Sequence, residues 1–231
     1  MKEAVKQAWE PFNRPLEGRV HWMYLDVKGL VSTGVGNLID ATKTPLTQPD
    51  ATERARSHEI ARRLPWQVGV DGEFASDQEI DNAWDVVKSR MDLAPRGGGI
   101  FVDITELRIS DEAIDHLVET RLAEMASFLK GRTMLIDGSR VAPFGDFDSW
   151  PADAQLGLLS MAWGMGPAFN FPKFQHAAFA RDWLTAADEC RFNPEVGTIV
   201  TRNDHNQKLF RNAFRVEDEG LDPEVLLFPV P

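Results

Sequence analysis

Residues 17–36, EGRVHWMYLDVKGLVSTGVG, decide how this chain is read. β-Forming side chains crowd the first half and glycines the second, which predicts strands joined by a tight turn around Lys28-Gly29. The polar residues are sparse and ordered. Glu17 comes first, Asp26 nine positions later, then the adjacent hydroxyls of Ser32 and Thr33, then Gly34-Val35-Gly36. Two carboxyls around a sugar bond, with a hydroxyl to orient a water, make the set that glycoside hydrolysis requires. The same residues also suit the wet face of an ordinary hairpin. Asp and Glu account for 36 of 231 residues, so a pair at this spacing also arises from composition alone.

Outward from the hairpin, residues 2–11 read as a short helix that stops near Pro11. Residues 41–57 are polar and turn-rich and read as loop. "SHEIARRLPW" begins a short helix that Pro65 ends. Ser76 with Glu79 forms a capping box, and Ile80, Trp84, Val87 and Met91 follow at helical spacing. "APRGGGIFVDI" breaks that helix with a glycine run. "ISDEAIDHLVETRLAEMASFL" sets Ala113, Ile114, Leu117, Val118, Leu122, Met125 and Leu129 on one stripe, a long amphipathic helix suited to be a spine between lobes. Residues 131–147 read as loop, and Asp148-Ser149 with Pro151 as a helix start. "AQLGLLSMAWGMGPAF" is apolar nearly all round and predicts a buried helix. "FARDWLTAADEC" and "NDHNQKLFRNAFRV" predict two further helices, and "LDPEVLLFPVP" a packed tail. The expected fold is α+β: one domain over 1–231, with a β-containing lobe over about 15–110 and an interlobe helix with a helical lobe over about 111–231.

Composition narrows the function. Hydrophobic residues make up 43% of the chain, with seven Trp and 14 Phe, enough for a sizeable core. No stretch approaches the roughly 20 apolar residues of a membrane span, and "MKEAVKQAWEPFNRP" has no apolar core of a secretory signal. Synthesis in the cytoplasm without a signal peptide is therefore expected. The net charge of −11 argues against nucleic acid and against insertion at an anionic membrane. Cys190 is the single cysteine and has no His/Asn context, so it reads as a small buried hydrophobe. The five histidines are scattered, and no metal or organic cofactor is expected. No Gly-x-Ser-x-Gly elbow is present, and "RGGGIF" lacks the Gly-Lys-Ser/Thr ending of a phosphate loop.

The opening stretch resembles the signature of the phage-type lysozyme family: Glu, eight residues, Asp, five residues, Thr, then Gly-x-Gly-His. Here Glu17, Asp26, Ser32 and Gly34-Val35-Gly36-Asn37 fall in that order, and Gly18, Tyr24 and Gly29 also match. "ISDEAIDHLVETRLAEMASFL", "DAQLGLLSMAWGMG", "RDWLTAADE" and "TRNDHNQKLF" resemble later segments of the family, in the same order, over roughly residues 15–213. Residues 40–75 and 131–147 are longer than the family's counterparts. Two residues depart from the pattern. Ser32 stands where the family has Thr, keeping the hydroxyl but losing the branch that stiffens χ1. Asn37 stands where it has His.

The resemblance implies a lysozyme-like fold, a small hairpin lobe and a larger helical lobe joined by a long helix. It also implies a muramidase that cuts the β-1,4 bond between N-acetylmuramic acid and N-acetylglucosamine in peptidoglycan. Glu17 would be the general acid, Asp26 the base or stabiliser of the transition state, and Ser32 the holder of the attacking water. Asn37, Leu38, Trp163 and Arg202 would contact substrate. Trp163 is equally suited to plain core, and Arg202 to a solvated helix start. The expected partner is the peptidoglycan glycan strand, met by a monomer in the periplasm or wall after holin-dependent release or delivery by a secretion system. The alternative from another class is a lysozyme fold kept as a non-catalytic glycan-binding or interaction module.

Overall fold

The computed structural model describes residues 1–70, 72–136 and 138–229. In chain order the elements are α1 (Glu3–Glu17), β1 (Val20–Leu25), β2 (Val31–Gly34), β3 (Asn37–Leu38), α2 (Ala51–Ala61), β4 (Gln67–Val68), α3 (Asp77–Ser89), β5 (Leu107–Arg108), α4 (Asp111–Gly131), β6 (Met134–Ile136), β7 (Ser139–Val141), α5 (Ala152–Met165), α6 (Pro172–Phe179), α7 (Trp183–Glu189) and α8 (Thr198–Asp218). Among the described residues, helices and three small antiparallel sheets make the fold α+β. The chain divides into two compact units, Gly18–Val118 on one hand and Met1–Glu17 with Glu119–Pro231 on the other. The boundary falls inside α4, and α1 belongs with the C-terminal half, whereas the sequence placed the change near residue 111.

In the Gly18–Val118 unit, β1, β2 and β3 form an antiparallel meander, with Tyr24 opposite Ser32 and Ser32 opposite Leu38. Met23, Leu25, Val31 and Ile39 are buried from the sheet, and Trp84 and Val87 from α3. The Trp84 indole N–H donates to the Ile39 carbonyl at 2.9 Å. The capping box at Ser76 and Glu79 starts α3 as its sequence predicts. The loop expected over 41–57 needs correction: α2 begins at Ala51, capped by Asp50 with Glu53. No apolar stripe marks α2, so periodicity was silent there. Ion pairs hold it to α3 instead, through Arg54 with Asp85, His58 between Asp81 and Asp85, and Arg62 with Asp81. The glycine run folds as a 3-10 turn over Gly98–Phe101.

In the other unit, α5 is buried from Ala152 to Trp163, as its apolar run predicts, and packs with α1 and α8. Phe144, Phe147, Trp150, Phe174, Trp183 and Phe210 form a continuous aromatic cluster beside it. The expected stop of α1 near Pro11 is overturned, since the helix runs through Pro11 and Pro15 to Glu17. A proline inside a helix costs about 3 kcal/mol. Burying Phe12 and Leu16 beyond Pro11 returns about 1.5–3 kcal/mol each. Two further corrections apply. Residues 131–147, expected as loop, hold the hairpin β6–β7, although Asp137 lies outside the described residues. The helix expected over "FARDWLTAADEC" starts only at Trp183, where the Asp182 carboxylate accepts the Thr185 N–H at 3.1 Å. The tail packs on the start of α5: Asp153 accepts the N–H groups of Leu227 at 2.8 Å and Phe228 at 3.0 Å. Val230 and Pro231, also part of the expected tail, lie outside the described residues.

Candidate active site

Glu17 is the last residue of α1, one turn beyond Asn13 on the helix face that carries Trp9. Its carboxyl is paired with the Arg202 guanidinium and keeps 29% of its side-chain surface. Burial pushes its proton affinity above the ordinary glutamate value, against the opposing pull of Arg202 and Arg121. Desolvation therefore outweighs two cations, the direction in which the proton affinity of a general acid has to move.

Arg202, from the first turns of α8, is only 2% exposed, so it is no solvated helix start. Its Nη1 donates to the Ser160 carbonyl at 3.1 Å and to the Ser160 hydroxyl at 3.2 Å, and its Nη2 donates to Asn13 Oδ1 at 3.3 Å and to Glu17. Burial lowers its proton affinity and Glu17 raises it. Gly164 of α5 makes room for this arm, because a Cβ there would lie 3.2 Å from Arg202 Cδ. Asn13, Ser160 and Arg121 are the residues that sequence reasoning missed. Arg121 carried a signal, since it sits three positions after Val118 and four before Met125, a charge inside an apolar stripe.

Trp163 is 5% exposed. The Arg121 guanidinium lies 4.0 Å from its ring centroid, and Trp9 packs on it at 5.0 Å. Its ring is packed as core, with a cation against it.

In the other unit, Asp26 follows β1 and organises the turn. Its Oδ1 accepts the N–H groups of Lys28 at 2.8 Å and Leu30 at 2.9 Å, while its carbonyl accepts the Gly29 N–H at 2.9 Å. Oδ2 accepts no hydrogen bond from the described residues. Gly29 has φ +69°, and a Cβ there would meet Met91 Sδ at 2.7 Å, so the turn needs a glycine on both counts.

Sheet register then assigns faces. Tyr24 opposes Ser32, and Leu25 opposes Val31. Side chains alternate along a strand, so Tyr24, Asp26, Ser32 and Leu38 share one face and Leu25, Val31, Thr33 and Asn37 the other. Asp26 and Ser32 are diagonal neighbours, a spacing of about 7 Å. The Ser32 hydroxyl makes no hydrogen bond to a described residue, although Ser32 is itself only 4% exposed. The Thr33 hydroxyl leans on the Val20 carbonyl at 3.4 Å, and Thr33 is fully buried. Asn37 uses Oδ1 to accept the Val35 N–H at 3.2 Å and so closes the β2–β3 turn, away from the Ser32 face. Leu38 lies on that face and is 52% exposed.

Burial pushes the Cys190 thiol up to about 12, and its Sγ donates to the Ala187 carbonyl at 3.2 Å. Among the described residues no group of three or more His, Cys, Asp or Glu is arranged to hold a metal ion, and no helix is long and apolar enough to cross a membrane. No known protein family, curated protein or solved structure matches the chain.

Proposed function

We propose that this chain is a lysozyme-like glycoside hydrolase that cleaves the β-1,4 bond between N-acetylmuramic acid and N-acetylglucosamine in peptidoglycan glycan strands. The observation that carries the proposal is Glu17, a carboxyl at the end of a helix that is paired with a buried arginine and whose proton affinity burial nevertheless raises. An acid of that kind is what protonation of a glycosidic oxygen requires. The hairpin that follows supplies the complementary groups on one face, a carboxylate fixed through one oxygen and an uncommitted hydroxyl.

In this reading Glu17 protonates the leaving oxygen. Asp26, through Oδ2, takes a proton from the attacking water or stabilises the oxocarbenium-like transition state, and Ser32 orients that water. Arg202 fixes the Glu17 carboxyl and limits how far its proton affinity rises. Leu38 offers an exposed apolar contact on the hairpin face that carries Asp26 and Ser32. The lysozyme-like fold belongs to the same proposal. It is supported by a glutamate-ended helix running directly into a hairpin, a 21-residue helix shared by two compact units, and a buried helix in the second unit. The protein would act alone, without cofactor, on walls it reaches after release or delivery.

The experiment is loss of turbidity of purified cell walls, with Glu17→Gln beside the natural sequence. Lysis by the natural chain and none by the variant is expected. Equal lysis by both removes Glu17 from the chemistry, and wall binding without lysis by either makes the chain a glycan-binding module.

A further inference from the structure

A buried ion pair lies behind the Asp26 turn. Lys88, from the last turn of α3, is 2% exposed, and Asp40 is 4% exposed. The Lys88 ammonium donates to Asp40 Oδ2 at 2.8 Å and to the Gly29 carbonyl at 2.8 Å. Gly29 is the residue whose N–H closes the turn on the Asp26 carbonyl. Asp40 Oδ2 also accepts the Val31 N–H at 2.9 Å, and Oδ1 accepts the Thr42 N–H at 2.8 Å. The Leu46 N–H donates to the Lys28 carbonyl at 2.8 Å. The turn is thus gripped from behind at residues 28, 29 and 31, and the Asp26 carboxyl is set by N–H groups at 28 and 30.

A buried ion pair is a poor source of stability, because desolvation offsets most of its attraction. Packing alone would be served by an apolar side chain at position 88. The charge here does something an apolar group cannot: it fixes one carbonyl, that of Gly29, in direction as well as position. We infer that Lys88, acting through the backbone of residues 28–30, is a positioning residue for Asp26. The long segment after the hairpin, which contributes Asp40, Thr42 and Leu46, then has a task in holding the base. The inference rests on the glycosidase reading of Asp26 as to its purpose, though not as to its geometry.

The test uses Lys88→Met, which keeps the length of the arm and removes the ammonium, on the full chain. Two readouts are taken: kcat and KM on a soluble, peptide-free glycan of alternating N-acetylmuramic acid and N-acetylglucosamine, and NMR shifts and exchange of the Lys28 and Leu30 amides. Positioning predicts that kcat falls by about tenfold or more while KM stays within about twofold. It also predicts that the two amides shift and lose protection, while those of α5 do not. An active natural chain with unchanged kcat in the folded variant overturns the inference. A natural chain without activity overturns the glycosidase reading instead, and the amides then decide the geometry alone, unchanged shifts refuting it. Where Lys88→Met does not fold, Asp40→Asn is read by the same measurements and the same criteria.

Discussion

The Glu17 carboxyl meets the Arg202 guanidinium at the end of α1, and its proton affinity is nevertheless raised. A cation beside a carboxylate favours the charged form, so burial is the stronger effect here. Activity that needs the protonated acid falls as pH rises through the Glu17 value. Arg202→Met removes the main opposing cation and raises that value further, so the alkaline limb of the pH–rate profile moves to higher pH. Glu17→Gln mimics the protonated form in shape but has no proton to give. It lowers kcat by about 10²–10⁴-fold with the circular-dichroism spectrum unchanged. A pH limb that stays in place in Arg202→Met separates Glu17 from the rate-limiting proton transfer.

The two hydroxyls of the hairpin separate by face. Ser32→Ala removes most of the activity, about tenfold or more, because the group that orients the water is gone. Thr33→Ala keeps activity and lowers stability instead, since Thr33 is fully buried. Ser32→Thr restores the stiffer rotamer and raises the rate. Steady-state rates on the soluble glycan, paired with thermal melts, check all three. The opposite pattern shifts the working register by one residue.

In the proposed reading Ser32 holds the attacking water, and direct attack by a water in place of Asp26 inverts the anomeric centre. Freshly released product should therefore be the α-anomer by proton NMR. Initial release of the β-anomer sinks inversion and turns Asp26 into a nucleophile or stabiliser.

On the proposed substrate, a net charge of −11 is opposed by the anionic polymers of the wall. Repulsion between them is screened over about 10 Å at 0.1 M salt. Wall lysis should rise, or hold, between low and moderate salt. A steep fall with added salt points to a local basic groove that dominates binding.

Asp153 joins the tail to α5 by accepting the Leu227 and Phe228 N–H groups and the Asn212 amide. Its removal in Asp153→Ala costs about 1–3 kcal/mol in urea unfolding. Burial holds its value above the ordinary 3.8, against those three donors. Its share of stability is therefore complete below 3.8 and declines as pH climbs through the folded value. The gap between natural chain and variant narrows from pH 3 to pH 7, and a widening gap refutes the assignment.

Where local pattern and burial agreed, elements could be read from residues alone. The capping box of α3, the all-apolar run of α5 and the striped α4 each announce themselves, because caps and periodicity act within a few residues. Only the end of α2 was read, from Ser57, and its first turns escaped for the opposite reason. It has a cap but no apolar stripe, and its ion pairs with Asp81 and Asp85 span 19 to 31 positions. The second half of α1, past Pro11, escaped because the proline rule is local, while the burial that overrides it is not.

The candidate site divides the same way. Sequence alone determined its residue types and their order: Glu17, Asp26, a hydroxyl pair, and an arginine at 202. It also determined the α+β class and the acidic surface, since these follow from composition and from spacing along one chain. Tertiary structure alone decided what those groups can do. It buried Arg202 against Ser160 and Asn13, raised the proton affinity of Glu17, and placed Trp163 in the core under Arg121. It gave Ser32 and Thr33 opposite faces and set Lys88 behind the Asp26 turn. The reason is physical: desolvation and hydrogen-bond geometry depend on which distant segments pack together, and nothing in the local pattern encodes that.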